Sequence, residues 1–179
     1  MFIEPFKVEL WMNAWETRCS HNLAETCVAS LTVEELLQLA GQTDADLASL
    51  LPMKLTYGAI EGSTRLRSAI AQLYGRVRPE DVVVTHGTIA ANALVYKTLV
   101  SRGDHVISIV PTYQQHHSIP ESIGASVDVL ALRQEHGFLP DVERLRAMVT
   151  PETKLIALTN PNNPTGALIG PKMQDEIAG

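Results

Sequence analysis

Short runs of strand-forming residues alternate with helical segments from residue 82 onward, and this alternation constrains the fold more than any other feature. Each run is rich in valine, isoleucine, leucine or threonine and is followed by a turn signal or a helical pattern. The runs are Val82 to Thr85, "HVISIV" (105–110), "SVDVLAL" (126–132) and "KLIALT" (154–159). Chains that alternate in this way form a mostly parallel sheet with helices on both faces, so we predict an α/β fold.

Helix signals occupy the segments before and between these runs. Thr32 and Glu35 have the spacing of a capping box, and the helix that they begin is expected to end at Gly41. Residues 42–56 give mixed signals for a loop or a short helix, whereas 63–75 show clear helical spacing. Further helices are predicted over residues 88–100, over 114–124 with an irregularity at Pro120, from Pro140 or Asp141 onward, and after Gly170.

Three loops of unusual composition follow predicted strands. They are Thr85–Ile89, Pro111–Tyr113 and Asn160–Gly166. In parallel sheets, ligands collect at the carboxyl ends of the strands, where loops and helix N-termini converge. The position of these loops therefore predicts a binding site at that edge of the sheet.

The first loop, "THGTIAAN" (85–92), places a glycine directly before a helix. A helix N-terminus has unpaired amide groups and a positive dipole end, so the amides of Thr88 and Ile89 are able to bind a phosphate beside Gly87. The alternative is a tight turn in which Thr88 caps the helix. A complete dinucleotide fingerprint and a Walker motif are both absent, which argues against those ligands.

The other two loops offer an aromatic ring and amide side chains. Tyr113 is placed either to stack on a flat heterocycle or to pack on the rim of the fold. In "NPNNPTG" (160–166), two prolines restrict the backbone and Gly166 allows a turn that needs no Cβ, which makes either a plain rigid turn or a support for one oriented carboxamide. We favour the support. His116 and His117 point in different directions on a helix, so we expect surface or supporting positions for them rather than metal binding.

Composition excludes several classes of function. The chain has 179 residues, 45% of them apolar, and a formal net charge of −6, without the basic run that nucleic-acid binding requires. It has no apolar stretch of membrane-spanning length and no signal-peptide pattern. Cys19 and Cys27 have no partners at metal-binding spacing and are expected to be reduced thiols. These features predict a cytoplasmic protein without a metal site.

Together the motifs resemble the N-terminal half of the class I/II aminotransferases, which are fold-type-I pyridoxal-5′-phosphate (PLP) enzymes. The likeness rests on "YGAIEGSTRLRSAIAQLYG" (57–75), "VVVTHGTIAAN" (82–92), "RGDHVISIVPTY" (102–113) and "NPNNPTG" (160–166). The resemblance implies an N-terminal arm and small-domain segment over residues 1–50. Residues 51–179 would form an incomplete large domain with three α/β/α layers. It also implies transfer of an amino group between an amino acid and a 2-oxo acid.

The resemblance implies roles for individual residues. Gly87, Thr88 and Ile89 match the turn that binds the cofactor phosphate. Tyr113 matches the aromatic residue that stacks on the pyridine ring, and Asn163 matches the residue that donates a hydrogen bond to the phenolic oxygen of the ring. Under this resemblance, all three loops contact one molecule of PLP.

Two further residues match positions outside these loops. Tyr57 matches a tyrosine that reaches the phosphate of the neighbouring subunit's cofactor, which implies a homodimer with shared sites. Glu25 matches a position that lines the substrate pocket.

Part of the family's catalytic machinery has no counterpart in the chain. The lysine that forms a Schiff base with the cofactor, the aspartate at the pyridine nitrogen and the arginine for the substrate carboxylate are expected beyond Gly179, so no catalytic residue is assigned. The role of Schiff-base lysine is therefore assigned to none of the lysines in the chain, which are Lys7, Lys54, Lys97, Lys154 and Lys172. Two alternatives stay open: another fold-type-I PLP enzyme, such as a lyase, decarboxylase or cyclase, and a non-catalytic fragment that only dimerises or binds PLP weakly.

Overall fold

The computed structural model describes residues 2–24 and 27–179, which are organised in two compact units. One unit combines the segment up to Cys19 with residues 85–179, and the other comprises residues 20–84. Glu25 lies outside the described residues. The division of the chain at residue 50 stays a prediction.

Eight α-helices, three strands and two short 3-10 helices, Pro79–Asp81 and Gln134–His136, make up the regular structure of the described residues. The helices are α1 Lys7–Trp15, α2 Val33–Leu39, α3 Asp44–Ala48, α4 Thr64–Ala71, α5 Thr88–Leu99, α6 Gln115–Ile123, α7 Val142–Met148 and α8 Pro171–Ala178. The strands are β1 His105–Val110, β2 Ser126–Ala131 and β3 Thr153–Ala157. No helix in this part of the chain has the length and apolar character needed to cross a membrane.

The three strands form one parallel sheet in the order β2-β1-β3. The central strand β1 is buried on both faces because its side chains alternate between two helical layers. On one face Val106 packs with Tyr96 of α5 and Ile119 of α6. On the other face Ile107 packs with Leu145 of α7. The predicted α/β/α layering is therefore confirmed.

The predicted strand over Val82 to Thr85 is wrong. These residues join no ladder of the sheet, and Val84 instead donates its backbone N–H to the carbonyl of Glu61 at 2.8 Å. β-Branched residues favour extended backbone, but a strand forms only where a neighbouring strand completes its hydrogen bonds. The strand β3 also ends at Ala157 instead of Thr159.

The predicted capping box is confirmed, and two further helix N-caps are observed. Thr32 and Glu35 form a capping box at the start of α2, with the reciprocal bonds at 3.1 and 2.7 Å. Ser63 caps α4 through its hydroxyl, although this helix ends at Ala71, earlier than the predicted end at Gly75. Asp141 caps α7 by accepting a hydrogen bond from the backbone N–H of Arg144. Residues 42–56, which gave mixed signals, contain the short helix α3.

A buried polar pair connects α5 to α6. The Tyr96 hydroxyl lies 2.6 Å from Nδ1 of His116, and both residues are buried. Burial lowers the pKa of His116, with a smaller contribution from neighbouring His117, and burial also raises the pKa of Tyr96 to about 12. His116 is therefore a packing residue between two helices, not a surface residue.

Replacement of His116 by glutamine is expected to reduce the loss of stability in mild acid. Because the pKa of His116 is lower in the folded chain, the unfolded chain binds the proton first, and stability falls as the pH drops below about 6.5. One such group contributes at most about 1.4 kcal/mol per pH unit. Glutamine keeps an acceptor for the Tyr96 hydroxyl but does not titrate.

Urea unfolding of both proteins between about pH 5 and pH 7 measures this difference. His21→Gln is the control, because His21 is exposed. Equal pH slopes for the unaltered chain and the His116 variant would contradict the assignment.

Candidate functional site

Two of the three asparagines in the loop after β3 hold the loop together. Asn160 donates from Nδ2 to the carbonyl of Ile169 at 3.1 Å, and its Oδ1 accepts from the backbone N–H of Ile169 at 2.9 Å. Asn162 is buried and donates from Nδ2 to the hydroxyl of Thr165 at 2.8 Å. The rigid-turn interpretation is therefore correct for these two side chains.

The third asparagine contacts a different loop. Nδ2 of Asn163 donates to the hydroxyl of Tyr113 at 2.8 Å, across 50 residues of sequence. Close by in sequence, the hydroxyls of Thr112 and Thr159 are 2.9 Å apart and connect the segments that leave β1 and β3. The structure thus brings two of the predicted site residues into direct contact.

Both side chains of this pair keep capacity for a ligand. Tyr113 remains 49% exposed although its hydroxyl is hydrogen-bonded. A carboxamide has two N–H donors, and Tyr113 accepts only one of those on Asn163. The pair is therefore able to present an aromatic surface and an oriented N–H group to the same flat molecule.

The N-terminus of α5 has unused hydrogen-bond donors. Gly87 is the N-cap residue, with φ 78° and ψ 154°, and its carbonyl accepts from the amides of Ala90 and Ala91. Among the described residues, the amides of Thr88 and Ile89 have no acceptor, and the first turn contains no acidic residue. The alternative in which Thr88 caps the helix is wrong, because Thr88 is the first helical residue. The two free amides form a site suited to an anion.

The packing of α5 favours a position of this anion site at the carboxyl edge of the sheet. The helix has 12 residues and a length of roughly 18 Å, close to the roughly 20 Å of the six residues of β1. Its C-terminal end leads into the amino end of β1, and Tyr96 and Val100 pack with Val106. We therefore expect the helix to run antiparallel to β1, with Gly87 at the edge from which the other two loops emerge.

Tyr57 belongs to the other compact unit. It lies on a segment without regular secondary structure and is fully exposed. Its role at a neighbouring subunit stays a prediction.

Sequence reasoning missed the polar side chains that connect these loops. Thr112 and Thr159 contact each other, and Gln114 binds the backbone near the start of α1, 107 to 110 positions away. Their sequence positions next to strand ends were a weak signal, because polar residues are common there. Only the topology reveals their partners.

The comparison with protein families matches residues 25–178 to the family described as aminotransferase class I and II. Among individual proteins, an aspartate/prephenate aminotransferase from Thermus thermophilus is 31% identical over 140 residues, which are 75% of this chain and 36% of that protein. An arginine–pyruvate transaminase from Pseudomonas aeruginosa is 34% identical over 149 residues, 75% of this chain and 38% of that protein. A capreomycidine synthase from Streptomyces vinaceus is 38% identical over 119 residues, 65% of this chain and 30% of that protein.

A solved structure of a PLP-dependent aminotransferase from Streptococcus suis is also similar. The TM-score is 0.94 at 43% sequence identity, and the match covers 99% of this chain and 48% of that one. The chain therefore spans between about a third and a half of the length of these relatives.

Alanine substitutions at Asn160 and Asn163 are expected to differ in their effect on stability. Asn160→Ala leaves the buried backbone N–H of Ile169 without a partner, whereas the Ile169 carbonyl still accepts from Nε2 of Gln174, and is expected to cost about 1–3 kcal/mol of unfolding free energy. Asn163 is only partly buried, and its loss is expected to cost less than about 1 kcal/mol. Urea unfolding of the two variants gives both values, and equal losses would contradict this division of roles.

Proposed function

The chain belongs to the class I and II aminotransferase family, and from this membership we propose that it forms the cofactor-binding part of a PLP-dependent aminotransferase. The proposed reaction moves an amino group from an amino acid to a 2-oxo acid. The observation that carries the proposal is the contact between Asn163 and Tyr113 at the same sheet edge as the unpaired amides of α5.

The donor set of this edge fits the three recognisable parts of PLP. The amides of Thr88 and Ile89, beside Gly87, would hold the phosphate. The ring of Tyr113 would lie against the pyridine ring, and the remaining N–H of Asn163 would donate to the phenolic oxygen. When bound, PLP supplies an electron-withdrawing ring that stabilises negative charge on the carbon bearing the amino group.

In the proposed enzyme, the residues of this chain bind PLP and orient it. An anion at the start of α5 gains about 0.3–1 kcal/mol from the helix dipole, and more where the site is partly buried. A hydrogen bond from Asn163 to a negatively charged oxygen favours the deprotonated form of that oxygen. Tyr113 fixes which edge of the Asn163 carboxamide faces the ligand, because its hydroxyl takes one N–H of that group.

Other parts of the proposal rest on the family resemblance. Tyr57 is proposed to reach the cofactor phosphate of a second subunit, which makes the enzyme a homodimer, and the proposed location is the cytoplasm. The lysine that binds PLP covalently is proposed to lie in the part of the relatives that this chain does not match.

One relative favours a second candidate function. The capreomycidine synthase is 38% identical to this chain, and its name describes a synthase, not a transaminase. The residues proposed to hold PLP are the same for both candidates. A PLP enzyme that rearranges or cyclises its substrate is therefore the alternative.

PLP binding to the 179-residue chain tests the cofactor site. We expect saturable binding in an absorbance titration, and about a tenfold to hundredfold weaker binding for Asn163→Ala, because a hydrogen bond to a charged oxygen is lost. Gln134→Ala removes an exposed carboxamide elsewhere and is the control. Equal affinity of the chain and Asn163→Ala for PLP would contradict the role of Asn163.

Borohydride reduction followed by peptide mass spectrometry tests the assignment of the lysines. We expect no stoichiometric labelling of any lysine in the chain, since none is assigned to covalent binding. A single fully labelled lysine would show that the covalent residue lies within these 179 residues.

A chimera tests the reaction itself. The chain replaces the matching part of the Streptococcus suis aminotransferase, which is 43% identical to it, and the unaltered Streptococcus enzyme is the control. We expect PLP-dependent amino transfer from a panel of amino acids to pyruvate or 2-oxoglutarate. A chimera that folds and binds PLP, but converts amino acids without forming a new amino acid from the acceptor, would favour the synthase candidate.

A further inference from the structure

The side chain of Gln114 connects the start of α1 to the loop that carries Tyr113. The side-chain oxygen Oε1 accepts a hydrogen bond from the backbone N–H of Lys7 at 3.0 Å. Its Nε2 lies 3.3 and 3.2 Å from the carbonyls of Glu4 and Pro5, and 3.2 Å from the hydroxyl of Ser118. The two N–H groups of the carboxamide are shared among three oxygens, so every polar atom of this side chain has a partner.

Gln114 supplies a hydrogen-bond acceptor that the start of α1 lacks. The N-cap residue of α1 is Phe6, whose side chain has no hydrogen-bond acceptor, and Lys7 is the first helical residue. The first amides of a helix require acceptors from outside the helix. Gln114 provides one for Lys7, and none of the residues of α1 is buried, so few other contacts hold the helix in place.

Gln114 also directly follows Tyr113 and is the N-cap residue of α6, with helical backbone angles. Because both polar atoms of the Gln114 side chain are hydrogen-bonded, the backbone next to Tyr113 is restricted. A ring that is already held in position loses less conformational freedom when a ligand binds. Gln114 therefore couples the ordering of α1 to the position of the Tyr113 ring.

We infer that Gln114 is a positioning residue: by binding the first turn of α1, it holds the Tyr113 loop in the conformation that binds the PLP ring. This inference rests on the proposed function. Coupling between two sites is reciprocal, so PLP is also expected to order α1.

The chain contains a built-in reporter for this coupling. Both of its tryptophans, Trp11 and Trp15, lie on α1. PLP absorbs light in the range of tryptophan emission, so PLP bound beside an ordered α1 quenches that emission. Absorbance measures the binding of PLP, and the depth of quenching at saturating PLP reports whether α1 lies near the bound ligand.

Four variants of the full 179-residue chain separate the contacts. Gln114→Ala removes all the bonds of the side chain. Lys7→Pro removes the N–H that Gln114 accepts, together with the ion pair between the Lys7 side chain and Glu4, at a helix position that tolerates proline. Lys7→Ala keeps that N–H but loses the exposed ion pair with Glu4, so it is the matched control. Gln134→Ala is the control for loss of a glutamine side chain.

For the unaltered chain, quenching and the absorbance change are expected to share one midpoint in a PLP titration. Gln114→Ala is expected to raise the PLP dissociation constant about fivefold or more and to abolish most of the quenching. Lys7→Pro is expected to raise the constant about two- to fivefold, whereas both controls stay within about twofold. This pattern would establish the coupling.

Two results would overturn the inference. If Gln114→Ala and Lys7→Pro release α1 but bind PLP with the original constant, Gln114 only anchors a helix. If both variants quench and bind as the unaltered chain does, the connection has no effect in solution. A failure of the unaltered chain to bind PLP is a different result, because it overturns the proposed function as well as the coupling.

Discussion

Parallel pairing between β1 and β3 is the constraint on which the site depends. The two strands run in the same direction with His105 beside Thr153 and Ser108 beside Ala157, so the chain leaves both strands at one edge of the sheet. Antiparallel pairing would separate these exits by the strand length of roughly 20 Å. Only the parallel arrangement lets Asn163 and Tyr113 share a hydrogen bond.

The features of the fold that were predictable are those determined by local sequence. Hydrophobic, β-branched runs identified β1, β2 and β3, although only β1 is buried along nearly its whole length. Caps such as the one formed by Thr32 and Glu35 were predictable, since both partners lie within one turn. The run from Val82 to Thr85 has the same local character as a strand, but the partner that a strand requires is distant in sequence and leaves no mark on the run itself.

Residue type alone did not separate the three asparagines after β3, and only the resemblance selected Asn163. The structure supplies a physical reason, because Asn160 and Asn162 use their side chains inside the loop. Gln114 was not found from sequence, since its backbone partners lie more than a hundred residues earlier, at and just before the start of a helix without buried residues. The burial of His116 depends in the same way on a partner in another helix.

The requirement for glycine at position 87 comes from backbone geometry and not from crowding. A Cβ at this position would meet nothing within 4 Å, so a larger residue would not clash with its surroundings. Its φ of 78° with ψ of 154° belongs to a conformation that is almost exclusive to glycine, and other residues pay about 1–3 kcal/mol to adopt it. Position 87 is thus tolerant of volume but intolerant of chirality: an achiral residue, or one of D configuration, is the kind of substitute that this turn accepts.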